Sequence, residues 1–250
     1  MSPITAQLFV TCLVDTLYPQ VGEAVVAVLR RVGVQVEFPT GQTCCGQPAF
    51  NAGMRAAAAP VAQQLIRVFE AAPGPVVVPS GSCAGMLRHG YPELFAGDPE
   101  WLPRAKALAE RTYEFTEFLV DVLGVSDVGA RFDGRLTYHA SCHLTRELGI
   151  QRQPRALLEQ IQGAELVELP EIQDCCGFGG VFSAEHPQLS TAMLERKIDN
   201  LEKTGAQLFV ACDAGCLTHL NGGLARRNKL LRGVHLAELL AGFPAASARR

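Results

Sequence analysis

Long apolar runs are missing from this 250-residue chain. No stretch approaches the roughly 18 consecutive apolar residues a helix needs to cross a bilayer. The opening residues MSPITAQLFVTCLVD carry no basic segment before their apolar run and no small-residue cleavage site, so no secretion signal is read there. A marked excess of either charge is missing as well, with 22 Lys and Arg against 25 Asp and Glu. Charged residues make up 19% of the chain and the net charge is −3, which gives no electrostatic reason to expect nucleic acid or an anionic membrane. A dinucleotide fingerprint is also lacking. GFGGVFS follows a strand-like run, but it is not G-x-G-x-x-G, and the two cysteines before it would crowd a pyrophosphate. No flavin or nicotinamide motif is recognisable. These absences lead to the expectation of a cytoplasmic protein without a transmembrane segment or a nucleic-acid partner.

Cysteine, by contrast, is abundant: there are nine. Stable disulfides are uncommon in a reducing compartment, where clustered cysteines more often bind metal or do redox chemistry. Buried thiols acting as small hydrophobes account for one or two, but not for two Cys-Cys-Gly triplets. The cysteines also repeat. Cys142 lies 130 residues after Cys12, Cys175 and Cys176 lie 131 after Cys44 and Cys45, and Cys216 lies 133 after Cys83. The phrase AQLFVTC at Ala6 returns as AQLFVAC at Ala206. The chain therefore reads as two related domains, 1–125 and 130–250, joined near Val122 to Gly134.

Each half alternates strand-like runs with helical patterns. In the first half QLFVTC, VQVEFP and GPVVVP alternate with QVGEAVVAVLRRVG and MRAAAAPVAQQLIRVFEAA. In the second half RLTYHASC, AELVELP and AQLFVAC alternate with PRALLEQIQG and LSTAMLERKIDNLEKTG. The second half also reads as adding LLRGVHL and a closing helix, AELLAGF. Continuous apolar strands between helices predict parallel sheets covered on both faces. The expected fold is α/β, two pseudo-symmetric Rossmann-like halves with the cysteine-bearing loops at the C-terminal ends of the strands. The charged run RKIDNLEK reads as a solvated helix face, and the tail PAASARR as frayed.

Thiolates suit zinc, copper(I) and iron–sulfur clusters. Structural zinc commonly uses two close ligand pairs, and a lone Cys12, a vicinal pair and a lone Cys83 fit that badly. Adjacent cysteines cannot easily share one small tetrahedral ion, but they can reach different iron atoms of one cluster. Cys212 and Cys216, separated by three residues and accompanied by other matched cysteines, do not make a thioredoxin-like centre.

The arrangement resembles the cysteine-rich CCG-domain family of iron–sulfur proteins. TCCGQPAFNAG, SGSCAGMLRHGYPELF, YHASCHLTRELG, DCCGFGG and DAGCLTHLNGG are most similar to its lactate- and glycolate-oxidising members, and more distantly to its members among the heterodisulfide reductases. The resemblance covers essentially the whole chain. It implies an iron–sulfur electron-transfer subunit that works with other subunits in oxidising L-lactate to pyruvate. It also implies a [4Fe-4S] cluster, in some members noncubane and held by five cysteines. The second half has five such residues, Cys142, Cys175, Cys176, Cys212 and Cys216; the first has four, Cys12, Cys44, Cys45 and Cys83. Pro79 stands where Cys212 would repeat, so the first half is expected to hold a second cluster, a smaller one, or none. Thiol–disulfide catalysis and a zinc-binding interaction module are the rival readings.

His139, His143 and Arg146 surround Cys142 in sequence, and His219 follows Cys216 by three residues. They are candidates to stand around a cluster and tune its potential, and Arg146 can also meet a carboxylate. The bland alternative is a strand-end histidine bonded to backbone and an arginine on a helix surface. His89, His186 and His235 read as structural or solvent-facing.

Overall fold

Runs such as Val76–Val78 and Leu208–Ala211 have no polar face, so they are stable only where both sides of a sheet are covered. The computed structural model, which describes residues 4–242, makes each of them an inner strand. The chain divides into two compact units, Met1–Phe118 and Leu119–Arg250. In the first, β1 (Thr5–Leu8), β2 (Gln35–Glu37), β3 (Val76–Val78) and β4 (Thr112–Glu114) form a sheet of order β2-β1-β3-β4. In the second, β5 (Arg131–Tyr138), β6 (Gln162–Val167), β7 (Leu208–Ala211) and β8 (Arg232–His235) form one of order β6-β5-β7-β8. Every pairing is parallel. Both halves are thus α/β and Rossmann-like, as expected.

The duplication extends to register. Ala6 pairs with Val36, and Leu136, which is 130 residues on, pairs with Leu166. Val77 pairs with Tyr113, and Val210 with Val234. A one-residue slip would turn every side chain to the opposite face of its sheet, so matching register places matching side chains on matching faces.

One expectation is corrected here. The closing strand and helix are not an addition confined to the second half, because β4 and the short turn of helix Phe115–Glu117 stand at the equivalent place in the first. The three-residue TYE has no apolar run to announce it. Both strands end in a buried cap: Glu114 accepts the amide of Thr116 at 2.7 Å, and His235 Nδ1 accepts that of Ala237 at 3.1 Å. Glu117 and Glu238 accept the amides of Glu114 and His235 in return.

Helices cover the sheets through apolar stripes. Helix Pro19–Arg31 buries Val21, Ala24, Val25, Val28 and Leu29, and helix Arg55–Glu70 buries Ala58, Ala62, Leu65, Ile66 and Phe69. These are three- and four-residue spacings, one face of a 3.6-residue helix. Helix Pro187–Lys203 does the same with Leu194, Ile198 and Leu201, but it also buries Lys197. The charged run is therefore not wholly a solvated face. Lys197 lies on the core side, where its Nζ donates to the carbonyls of Glu171 at 2.9 Å and Ile172 at 3.3 Å. No helix among the described residues is long and apolar enough to cross a membrane. The tail PAASARR lies outside the described residues.

Candidate metal centre

The cysteine-bearing segments follow β1, β2 and β3 in the first half and β5, β6 and β7 in the second, so parallel strands deliver all of them to one edge of each sheet. In the first half Cys12 Sγ lies 3.6 Å from Cys44 Sγ, and Cys45 Sγ lies 3.5 Å from Cys83 Sγ. In the second half the corresponding pairs, Cys142 with Cys175 and Cys176 with Cys216, stand at 3.8 and 3.4 Å. None of the nine cysteines is in a disulfide. Two thiolates bound tetrahedrally to one ion at ~2.3 Å lie about 3.8 Å apart, so each pair has the spread a shared metal atom requires.

Each set has an outer and an inner side. Cys12, Cys44, Cys142 and Cys175 are half-buried, whereas Cys45, Cys83, Cys176, Cys212 and Cys216 are buried. The vicinal cysteines thus divide between the two sides, one reaching toward solvent and its neighbour toward the core. The glycine after each pair makes this possible. Gly46 and Gly177 have φ of 84° and 88°, a left-handed turn that an L side chain disfavours. Their amides donate back to Cys44 Sγ at 3.5 Å and to Cys175 Sγ at 3.4 Å. A Cβ on Gly177 would also stand 2.6 Å from the carbonyl oxygen of Ser190.

The last cysteine of each set enters the first turn of a helix. Ser80 caps helix Gly81–Gly85 by accepting the amide of Cys83 at 3.4 Å, and Asp213 caps helix Ala214–Arg226 by accepting that of Gly215 at 3.0 Å. Hydrogen bonds between neighbouring thiols set which of them holds its proton more tightly. Hydrogen bonds from the Cys12 and Cys45 thiols hold Cys44 well below the usual thiol range, and those from Cys142 and Cys176 do the same for Cys175. The donors Cys12 and Cys142 are pushed up, first by those same bonds and then by burial. Cys216 is lowered to about 6 by the Cys176 thiol and, beyond that, by the His139 ring, against the effect of burial. Thiols already carrying thiolate character are ready ligands for a soft metal, since binding must displace their protons.

The two halves differ beside the thiols. Leu8, Phe9 and Pro79 in the first correspond to Tyr138, His139 and Cys212 in the second. Tyr138 Oη and Cys212 Sγ are 4.0 Å apart. His139 is fully buried, and neither of its ring nitrogens has a hydrogen-bond partner. One of them lies in a group with Cys176 Sγ and Cys216 Sγ in which all three atoms are within 4.8 Å of one another.

The other sequence candidates stand further out. His143 Nδ1 is 3.7 Å from Cys142 Sγ, and its Nε2 is 3.9 Å from Glu147. Arg146 donates to the carbonyl of Gln173 at 2.5 Å, which ties it to the loop that carries Cys175. His219 Nε2 is 3.3 Å from Ser190 Oγ, which in turn donates to the Gly177 carbonyl at 2.8 Å. That chain holds helix Pro187–Lys203 against the Cys-Cys-Gly loop. Burial pushes the His219 imidazole down.

Some residues of the site carry no local sequence signal. Tyr138, Ser190 and Lys197 are of this kind, as is Tyr91, whose hydroxyl donates to the Cys45 carbonyl at 2.9 Å. Tyr138 is visible only by laying the halves over each other, and Lys197 only as a charge inside an apolar stripe.

Comparison with known proteins gives the same division. The family described as the cysteine-rich domain (CCG) matches residues 6–88 and again residues 136–221. The chain is 51% identical over 233 residues to lactate utilization protein A of Geobacillus kaustophilus (strain HTA426), covering 93% of this chain and 97% of that one. It is 47% identical over 234 residues to lactate utilization protein A 2 of Bacillus cereus (strain 03BB102), covering 94% and 96%. A solved structure of a hypothetical protein from Helicobacter pylori superposes with a TM-score of 0.61 at 11% identity, over 96% of this chain and 49% of that one. The chain spans about half of that protein, and the likeness is one of fold.

Proposed function

This chain belongs to the cysteine-rich (CCG) domain family, and from that premise we propose that it is the iron–sulfur electron-transfer subunit of an L-lactate-oxidising system in the cytoplasm. The observation that carries the reading is the repeated sulfur set: two thiol pairs at a strand-end edge in each half, at 3.4 to 3.8 Å within pairs. The name of the relatives supports the lactate assignment. The domains are taken as 1–125 and 130–250, one CCG domain each.

Cys142, Cys175, Cys176, Cys212 and Cys216 would hold a [4Fe-4S] cluster, noncubane if all five sulfurs bind. Cys12, Cys44, Cys45 and Cys83 would hold a second one. The donor set fits such a group: the ligand atoms are sulfurs, and backbone amides point at two of them. When bound, the cluster supplies a one-electron redox centre. The protein's own part is to hold it, to shield it and to expose one side. Cys45, Cys83, Cys176 and Cys216 keep the inner side out of water, and the half-buried cysteines leave an outer edge where electrons can enter and leave. Substrate oxidation belongs to partner subunits that dock at that edge.

Anaerobic purification, iron–sulfur reconstitution and assay of iron, sulfide and zinc per chain, with EPR, test the reading. About eight irons and eight sulfides fill both halves, about four fill one, and Cys176→Ala is expected to empty the second. Zinc without sulfide or an EPR signal leaves a structural module and overturns it.

A further inference from the structure

His139 lies at the end of β5 with no exposed surface and no hydrogen bond to either ring nitrogen. That is unusual, because buried polar side chains are almost always paired. The fold does not require a polar residue there. The first half carries the same sulfur pairs, and 130 residues earlier Phe9 takes the equivalent place, fully buried and packed edge-on against Phe69 at 5.7 Å. A phenyl ring therefore satisfies the packing, and the imidazole needs another explanation.

Its surroundings supply one. Among the described residues, His139, Cys176 and Cys216 are the single group of three histidine, cysteine or acidic side chains whose ligand atoms all lie within 4.8 Å of one another, and all three are buried. Each offers one atom. Cys176 and Cys216 already sit 3.4 Å apart, close to the edge of a tetrahedral site, and the ring nitrogen faces that edge with nothing else to bond. Imidazole and thiolate together suit iron and zinc.

We propose that His139 is a nitrogen ligand of the metal centre in the second half, joining Cys176 and Cys216; this rests on the reading that the half binds metal at all. A neutral imidazole adds a nitrogen donor to the centre without adding negative charge, and ligand identity is one of the levers that set a cluster's potential. The halves then hold chemically different centres, one all-sulfur and one with nitrogen.

The test uses full-length protein grown with ¹⁵N-histidine, loaded anaerobically with iron and sulfide, assayed for both, reduced and examined by pulsed EPR. The expected result is a strong imidazole ¹⁵N coupling that vanishes in His139→Phe and survives in His143→Phe, while the bound iron of His139→Phe remains detectable. Phenylalanine is the residue the first half already accommodates, and an unchanged urea midpoint verifies folding. A coupling that persists in His139→Phe, or is absent from the unsubstituted protein, overturns the proposal. Failure to bind iron and sulfide overturns the cluster reading instead. In that case Co²⁺ alone decides: a hyperfine-shifted imidazole ¹⁵N resonance lost in His139→Phe supports ligation, and thiolate-to-cobalt absorption without such a resonance contradicts it.

Discussion

Cys176 and Cys216 face each other across 3.4 Å, one from the loop after β6 and one from the first turn of the helix after β7. Forty residues apart in sequence, they meet because parallel strands end at a common edge. Cys45 and Cys83 repeat the relation at 3.5 Å in the first half. Among the sulfurs, the halves differ in Cys212, whose counterpart is Pro79. Cys212→Ala leaves the second half with the four sulfurs of the first. Iron and sulfide are expected to stay bound, with a changed EPR line shape. An unchanged spectrum removes Cys212 from the ligand set.

The two Cys-Cys-Gly glycines separate backbone strain from crowding. Gly46→Ala meets the Ala58 carbonyl oxygen at 3.5 Å, an ordinary contact, so it carries mainly the left-handed penalty of about 1 kcal/mol. Gly177→Ala adds an approach of 2.6 Å to the Ser190 oxygen and is expected to cost about 3 kcal/mol. Urea unfolding midpoints rank the two. Equal losses would show that the Gly177 turn relaxes away from Ser190.

Lys197 holds the loop that leads to Cys175 through the carbonyls of Glu171 and Ile172. Lys197→Met keeps the apolar stem and removes both bonds, for a loss of about 2 kcal/mol. Hydrogen exchange should rise in residues 171–176 and stay level in β7. Exchange unchanged in that loop would mean the bonds do not restrain it.

Glu114 gives a pH dependence separate from the thiols. Burial raises its carboxyl to about 7 in the folded chain, against 4.5 when unperturbed, and its Oε1 has no partner. The folded state thus binds the proton more tightly than the unfolded one. That stability is fully present below about 4.5 and is lost as pH rises through about 7. The span is worth on the order of 3 kcal/mol. Glu114→Gln should flatten this limb of the stability profile, and a profile as steep as before would assign the dependence elsewhere.

Much of this architecture is legible in the amino-acid order because its signals are local or periodic. The offsets of 130 to 133 between cysteines mark the duplication, and the unbroken apolar run VVV marks an inner strand. β4 is not legible, because TYE is three residues long and gets its place by pairing Val77 with Tyr113. Lys197 is hidden for another reason: it sits in a run rich in charge, RKIDNLEK, while its neighbours in space are carbonyls on a distant loop. The depth of His139 is likewise a tertiary fact. Sequence places it near Cys142, whereas folding sets it against Cys176 and Cys216. Only its alignment over Phe9 hints at the difference.

In the proposed role, electrons from L-lactate pass through this chain. Freeze-quench EPR reads this directly: iron-loaded protein is added to an anaerobic extract of cells lacking the chain, and L-lactate is supplied. The reduced-cluster signal is expected to grow as lactate is consumed and to be diminished with Cys176→Ala. Lactate consumed at the same rate while the cluster stays oxidised would exclude that role.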